Sequence, residues 1–230
     1  MCSSDLLWLR RDLPEVRSAG AAPGAGELLS CLRRDGRSVL RVLAILGFEK
    51  VSFYLVFVFW VQQAASRDPA AAGDLNGLNT LVQALGIPLI VLAGRWADQR
   101  GPVRMMRRWS LLLALLVTPA MLLLQRSELP AMALGLALAA LPLMLIGGTY
   151  PALIPFLFDR RCRCTGFSLS YSLGASLLGG PAPAVAAWMI GAGWRNGPLL
   201  ATLALALPAL LALSGLVDGP GGPLSRRVQK

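Results

Sequence analysis

Four stretches of this sequence contain no charged residue: 75–94, 129–158, 165–194 and 196–217. An uncharged apolar run of 18 or more residues is long enough to cross a bilayer as a helix. Inside hydrocarbon a helix also satisfies every backbone hydrogen bond within its own segment. Charged residues make up 15% of the chain, against about 25% in a soluble domain, which excludes an ordinary soluble enzyme. The formal charge of +10 would suit a nucleic-acid binder. The basic residues, however, lie in short gaps between apolar runs rather than on one face of a soluble domain, so no nucleic-acid partner is expected. Length sets the other bound. Twelve spans need about 240 residues, more than the 230 present.

The pattern predicts an all-α membrane protein with six transmembrane helices, at about 42–62, 75–97, 109–125, 131–156, 166–190 and 197–217. Orientation follows from Lys and Arg, which concentrate on cytoplasmic loops. Seven arginines precede the first span, and Arg95, Arg100, Arg104, Arg107 and Arg108 separate the second from the third. Arg160, Arg161 and Arg163 separate the fourth from the fifth, and Arg226, Arg227 and Lys230 follow the sixth. The alternate loops hold only Arg67, Arg126 and Arg195. The heavily basic side is read as cytoplasmic, with both termini on it and six spans between. Residues 1–41 then form a cytoplasmic basic segment without a signal-peptide core. Residues 18–26 read as a small-residue linker, and 218–230 as a cytoplasmic tail that Gly and Pro at 219–223 release from the last span. A division into two three-span units, 42–125 and 131–217, is compatible with the repeats of transporters.

Glu49 and Lys50 stand out because charge at membrane depth is costly and ordinarily faces a cavity or a partner. Neighbours on a helix point about 100° apart, so these two need not pair with each other. Tyr54, one turn on, is expected beside the same cavity. In the second span Asn76, Asn79 and Gln83, continued by Gly86, share one face. Such amides either join helices or line a wet path. Pro88 is expected to kink this span. Residues 94–104 read as a tight basic loop in which Gly94 and Gly101 permit close approach. Asp98 is placed to face a helix N-terminus, and Arg100 and Arg104 to bridge helix ends. Gly174, Gly179 and Gly180, among serines and Pro181 and Pro183, suit close helix packing or a broken helix. With no histidine and four loop cysteines, no metal site is expected. The absence of paired catalytic carboxylates and of a Gly-rich phosphate loop ending in Lys-Ser or Lys-Thr argues against an enzyme, and no cofactor is implied.

The 94–104 stretch resembles the loop signature of the major facilitator superfamily, Gly-x-Leu-Ala-Asp-Arg-x-Gly-Arg-Arg: Gly94, Ala97, Asp98 and Gly101 match, while Trp96, Gln99, Pro102 and Val103 depart. Residues 158–174, then Gly179-Gly180-Pro181-Ala182-Pro183, closing at Trp188, are similar to the metabolite:proton symporter branch of that superfamily, which includes proline/betaine and dicarboxylate carriers. Ser172 stands where Asn is common there. Residues 9–15 also resemble the basic segment leaving the sixth span in that branch. The order of elements matches spans seven to twelve, so the resemblance implies the C-terminal half of a facilitator bundle, with residues 1–41 as its central loop.

The resemblance implies secondary transport of a small polar metabolite, an organic acid, amino acid or osmolyte, coupled to protons. The setting would be a bacterial inner membrane. Glu49 would be the proton-linked or substrate-facing acid, Lys50 would meet an anionic substrate, and Tyr54, Asn79 and Gln83 would line the path. Asp98, Arg100 and Arg104 would latch the cytoplasmic side. The partners implied are the lipid bilayer, substrate, protons, and a missing N-terminal six-span half. Two alternatives stay open on the residues: a self-contained carrier working as two copies, and a membrane protein without transport activity of its own.

Overall fold

A computed structural model describes residues 36–126, 128–158 and 163–216. The segments read from sequence at 1–35, 159–162 and 217–230 lie outside the described residues. No strand occurs among the described residues. Six helices are long and apolar enough to cross a membrane: α1 (Gly36–Arg67), α2 (Ala72–Arg100), α3 (Pro102–Leu124), α4 (Leu129–Leu157), α5 (Arg163–Gly191) and α6 (Gly197–Ser214). The chain folds as an all-α membrane protein.

Helix ends fall where the sequence supplies a breaker. After Arg67 the carboxylate of Asp68 accepts hydrogen bonds from the backbone N–H of Ala70 and Ala71, at 3.1 and 3.3 Å, an Asx-type turn that stops α1 ahead of α2. Between α2 and α3 the loop expected over 94–104 is replaced by continuous helix to Arg100. Only Gly101, at φ 92°, is non-helical before Pro102 opens α3. Residues 94–100 hold no proline, and Arg, Ala and Gln favour helix, so nothing stops the helix at the membrane surface. Gly101 can adopt the positive φ without a Cβ penalty, and Pro102 sits at a first-turn position, where its missing N–H costs nothing.

The helices associate as two interlocked groups. α4 packs along α2 and α3, whereas α1 packs against α5 and α6, with α3 touching α6. The grouping therefore cuts across the division at 125–131. In the most apolar stretch of α1, 67% of residues are buried, against 11% in α2 and 22% in α5. α1 is thus the core helix, and α2 and α5 leave broad faces open. α2 reaches α4 through small residues. A Cβ on Gly148 would clash with the carbonyl oxygen of Ile90 and lie 2.9 Å from the Ala93 Cβ. At the other edge Arg107 of α3 donates to the carbonyls of Leu213 and Leu216, at 2.9 and 3.1 Å. The Leu213 carbonyl also accepts the Leu216 N–H, at 3.1 Å, and a cation at a helix C-terminus meets the negative end of its dipole.

Candidate substrate site on the core helix

Because α1 is enclosed, the run from Ile45 to Ser52 is buried on every side of the helix. That burial decides the fate of Glu49 and Lys50. Helix geometry left their pairing open, and here they pair: Lys50 Nζ lies 3.0 Å from one carboxylate oxygen of Glu49 and 3.3 Å from the other. Two long side chains bridge the 100° between them because neither has water to turn to. Glu49 is 4% exposed and Lys50 9%. This is the single ion pair among the described residues, and it is buried, so its worth depends on how completely each charge is matched.

The ammonium group has further partners that the sequence reading missed. Lys50 Nζ sits 4.6 Å from the ring centroid of Tyr171 and 5.5 Å from that of Tyr150. Both lie within the range where an aromatic face attracts a cation. Tyr150 and Tyr171 are 5.8 Å apart by centroid, and Phe167 stands beside both. The chain has three tyrosines, and the third, Tyr54, packs one helical turn from Lys50. Tyrosine is favoured at membrane–water interfaces. Three tyrosines placed instead within apolar spans were a signal available in the sequence.

Backbone irregularities flank the pair. α1 widens to a π-helix over Tyr54–Trp60, and α5 does so over Gly174–Gly179. In α5 the N–H of Gly180 donates to the carbonyl of Ala175, 2.7 Å away and five residues back. The two widened stretches meet. A Cβ on Gly179 would fall 2.9 Å from the Tyr54 ring and 3.1 Å from the Lys50 Cβ, and one on Gly174 would fall 3.2 Å from the Leu46 Cβ. Gly180, by contrast, is exposed and touches only its own helix. π-helical turns are rare and concentrate at functional sites.

The amides of α2 lie elsewhere. Asn79 donates to the carbonyl of Phe57, at 3.1 Å, and Gln83 donates to the Asn79 side-chain oxygen, at 3.4 Å. They tie α2 to the π-helical part of α1, beyond Tyr54 from the ion pair. At the other end of α2, Asp98 is exposed and makes no hydrogen bond or ion pair among the described residues. It does not cap α3, because the single-residue turn carries α3 away from it. The Arg100 guanidinium lies 5.8 Å from the Trp96 ring centroid, and Trp96 in turn stands 6.0 Å from Trp109. Arg104 is exposed on the first turn of α3, and Gly94 faces Gly148 of α4. Among the described residues, no group of three metal-ligating side chains is assembled.

No family model matches the chain, and no solved structure matches it. Its sequence is 30% identical to a putative proline/betaine transporter of Staphylococcus haemolyticus, over 80% of this chain and 40% of that protein. It is 28% identical to the alpha-ketoglutarate permease of Escherichia coli, over 78% of this chain and 42% of the permease. Against an ectoine/proline transporter of Corynebacterium glutamicum the identity is 22%, over 71% of this chain and 32% of the relative. The chain thus spans well under half the length of these relatives. Its homologues are transporters of the major facilitator superfamily, and the part of each that it matches is the C-terminal half.

Proposed function

We propose that the chain is the C-terminal half of a proton-coupled secondary transporter for a small polar metabolite bearing a carboxylate. The single observation that carries this is the Glu49–Lys50 pair, buried in the core helix with its ammonium group against Tyr150 and Tyr171. Intramembrane charge ordinarily marks a substrate or ion pathway. The metabolites named in the relatives, proline, betaine, ectoine and alpha-ketoglutarate, share one group, a carboxylate. In this reading Lys50 is the carboxylate's partner and Glu49 is the counter-charge that must let go. A proton on Glu49 releases Lys50 to substrate, and substrate departure restores the pair. Tyr54 and the π-helical turns supply a surface that re-packs as the pair opens. Asn79 and Gln83 hold α2 to the moving part of α1, and Asp98, Arg100 and Arg104 act at the cytoplasmic end.

Alternating access needs a second bundle facing the first, and the open faces of α2 and α5 are where it would dock. The working assembly would sit in a bacterial plasma membrane with both ends of this chain in the cytoplasm. The test is uptake of labelled proline, betaine and alpha-ketoglutarate into vesicles, driven by an imposed proton gradient, with the chain assembled with a six-span N-terminal bundle. Glu49→Gln is expected to abolish gradient-driven uptake while leaving exchange of internal for external substrate. Undiminished gradient-driven uptake by Glu49→Gln removes the acid from the mechanism, and no uptake of any of the three by the unaltered assembly removes the transport reading.

A further inference from the structure

A second site lies at the opposite end of the bundle from Gly101. The end of α1, the end of α3 and the turn between α5 and α6 border a solvent-open cavity of about 530 Å³, lined by Trp60, Arg67, Gln125, Ile190 and Arg195. Its polar chemistry is one-sided. Two arginines, a tryptophan and a glutamine line it, with no carboxylate among the lining residues. The one acceptor facing a lining donor is the Gln125 side-chain oxygen, which takes the Arg195 Nε–H at 3.0 Å. That bond fixes the Arg195 fork and turns the Gln125 amide into a donor.

Two of those donors are buried and have no partner. The Trp60 indole N–H and the Gln125 side-chain N–H make no hydrogen bond, although the residues are only 2% and 9% exposed. Leaving a buried donor unpaired costs about 1–3 kcal/mol, and such groups ordinarily mark a missing ligand or water. Neither Arg67 nor Arg195 forms an ion pair among the described residues. The nearest acid in sequence, Asp68, is exposed, with its carboxylate turned to the Ala70 and Ala71 N–H groups.

We infer that this cavity is an oxyanion site, taking a carboxylate or phosphate group between Arg67 and Arg195. Its volume lies in the range of small-molecule pockets, and paired guanidiniums match planar oxyanions by donating two parallel hydrogen bonds. On the basic-loop count the site faces away from the cytoplasm, where it would concentrate anions at the mouth of the bundle. The oxyanion has two sources, a free metabolite or inorganic phosphate, and the phosphate of a lipid headgroup at the same depth. The site is separate from the Glu49–Lys50 pair and does not depend on transport.

The test uses the full chain in dodecyl maltoside micelles, which carry no charge. Inorganic phosphate and succinate are titrated at constant ionic strength while tryptophan fluorescence is followed, with Trp60→Phe as the spectral blank. A saturable response is expected, absent in the blank. Arg67→Gln should weaken it at least about tenfold, the size of one charge-assisted hydrogen bond. The Arg67 side chain has no hydrogen-bond or ion-pair partner among the described residues, so this variant should leave the bundle intact, and an unchanged circular dichroism spectrum verifies that. Arg195→Lys, which keeps the charge and loses the fork, should weaken binding as well. A second arm places the chain in phosphatidylcholine nanodiscs with increasing phosphatidylglycerol. A response to phosphatidylglycerol that free phosphate cannot compete away assigns the site to a lipid headgroup, and a phosphate response that persists in pure phosphatidylcholine assigns it to a soluble anion. The inference is overturned by the absence of a saturable response in both arms, or by equal responses in the unaltered chain, Arg67→Gln and Arg195→Lys.

Discussion

Removing Lys50 alone from the Glu49–Lys50 pair should cost far more than neutralising both members. Lys50→Met leaves a carboxylate that is 4% exposed without its ammonium 3.0 Å away. Breaking a buried pair this way costs about 3–5 kcal/mol in general. Protonation caps the cost, because a free Glu with a pKa of about 4.3 can be neutralised at pH 7 for roughly 3.7 kcal/mol. The expected loss is therefore about 3 kcal/mol at pH 7. At pH 5 the cap falls to roughly 1 kcal/mol, so the gap to the unaltered chain narrows as pH falls. Glu49→Gln should be milder, about 1–2 kcal/mol, because an amide oxygen can still accept from Lys50 and the rings of Tyr150 and Tyr171 still face the ammonium. The double variant, Glu49→Gln with Lys50→Met, should lie within about 1 kcal/mol of the unaltered chain, since a buried pair is often no better than neutral groups of similar size. The assay is unfolding in mixed micelles by increasing dodecyl sulfate fraction, followed by helical circular dichroism. A double variant that loses the sum of the two single losses would show that the charges do not depend on each other, and the reasoning would fail.

Three further outcomes follow from the packing. Gly148→Val should destabilise the bundle by at least about 1–3 kcal/mol in the same assay, because the new Cβ meets the Ile90 backbone rather than a flexible side chain. Arg107→Met should lower stability by about 1–3 kcal/mol, and limited proteolysis should then cut first near Leu213–Leu216, whose carbonyls it had held. Asn79→Leu should cost about 0.6–1.7 kcal/mol, the range for hydrogen bonds between membrane helices, and a larger loss in double-mutant combination with Gln83→Leu would show that the two amides act as one chain.

Charge and hydropathy made the six spans legible, because a bilayer imposes one length and one polarity on every crossing. The same signal was blind to how far each helix runs outside the membrane. The glycines and arginines of 94–104 read as a tight basic loop, whereas a helix stops only at a residue that breaks it, here Gly101 before Pro102. The buried pair was legible as two costly charges, but not as a pair. Helical geometry alone turns neighbours 100° apart, and only enclosure on all sides makes two long side chains converge. Tyr150 and Tyr171 come from α4 and α5, so their meeting over Lys50 depends on tertiary packing that no local pattern encodes. The π-helical turns were equally hidden, since their sequences, aromatic in α1 and small in α5, are ordinary for membrane helices.

The open face of α5 supplies a prediction that separates a half-bundle from a finished one. Ser168, Ser172, Ser176, Gly180 and Ala184 fall four residues apart, and all are exposed. Positions four apart lie along one stripe of a helix. A surface meant only for lipid has no need of small residues, which matter where another backbone must come close. The buried stripe of α5 already packs on α1, through Gly174 and Gly179, so on the half-transporter reading the exposed one is where a second bundle would come close. Replacing Ser172 and Ser176 together by leucine should leave the unfolding midpoint of the isolated chain within about 0.5 kcal/mol, as exposed substitutions do. In the assembly with an N-terminal bundle, the same change should reduce both co-purification of the two halves and uptake. A loss of stability in the isolated chain would place the serines in the bundle's own packing. Unaltered co-purification and uptake would make the stripe a lipid face, and the docking of a second bundle would have to be sought on α2 alone.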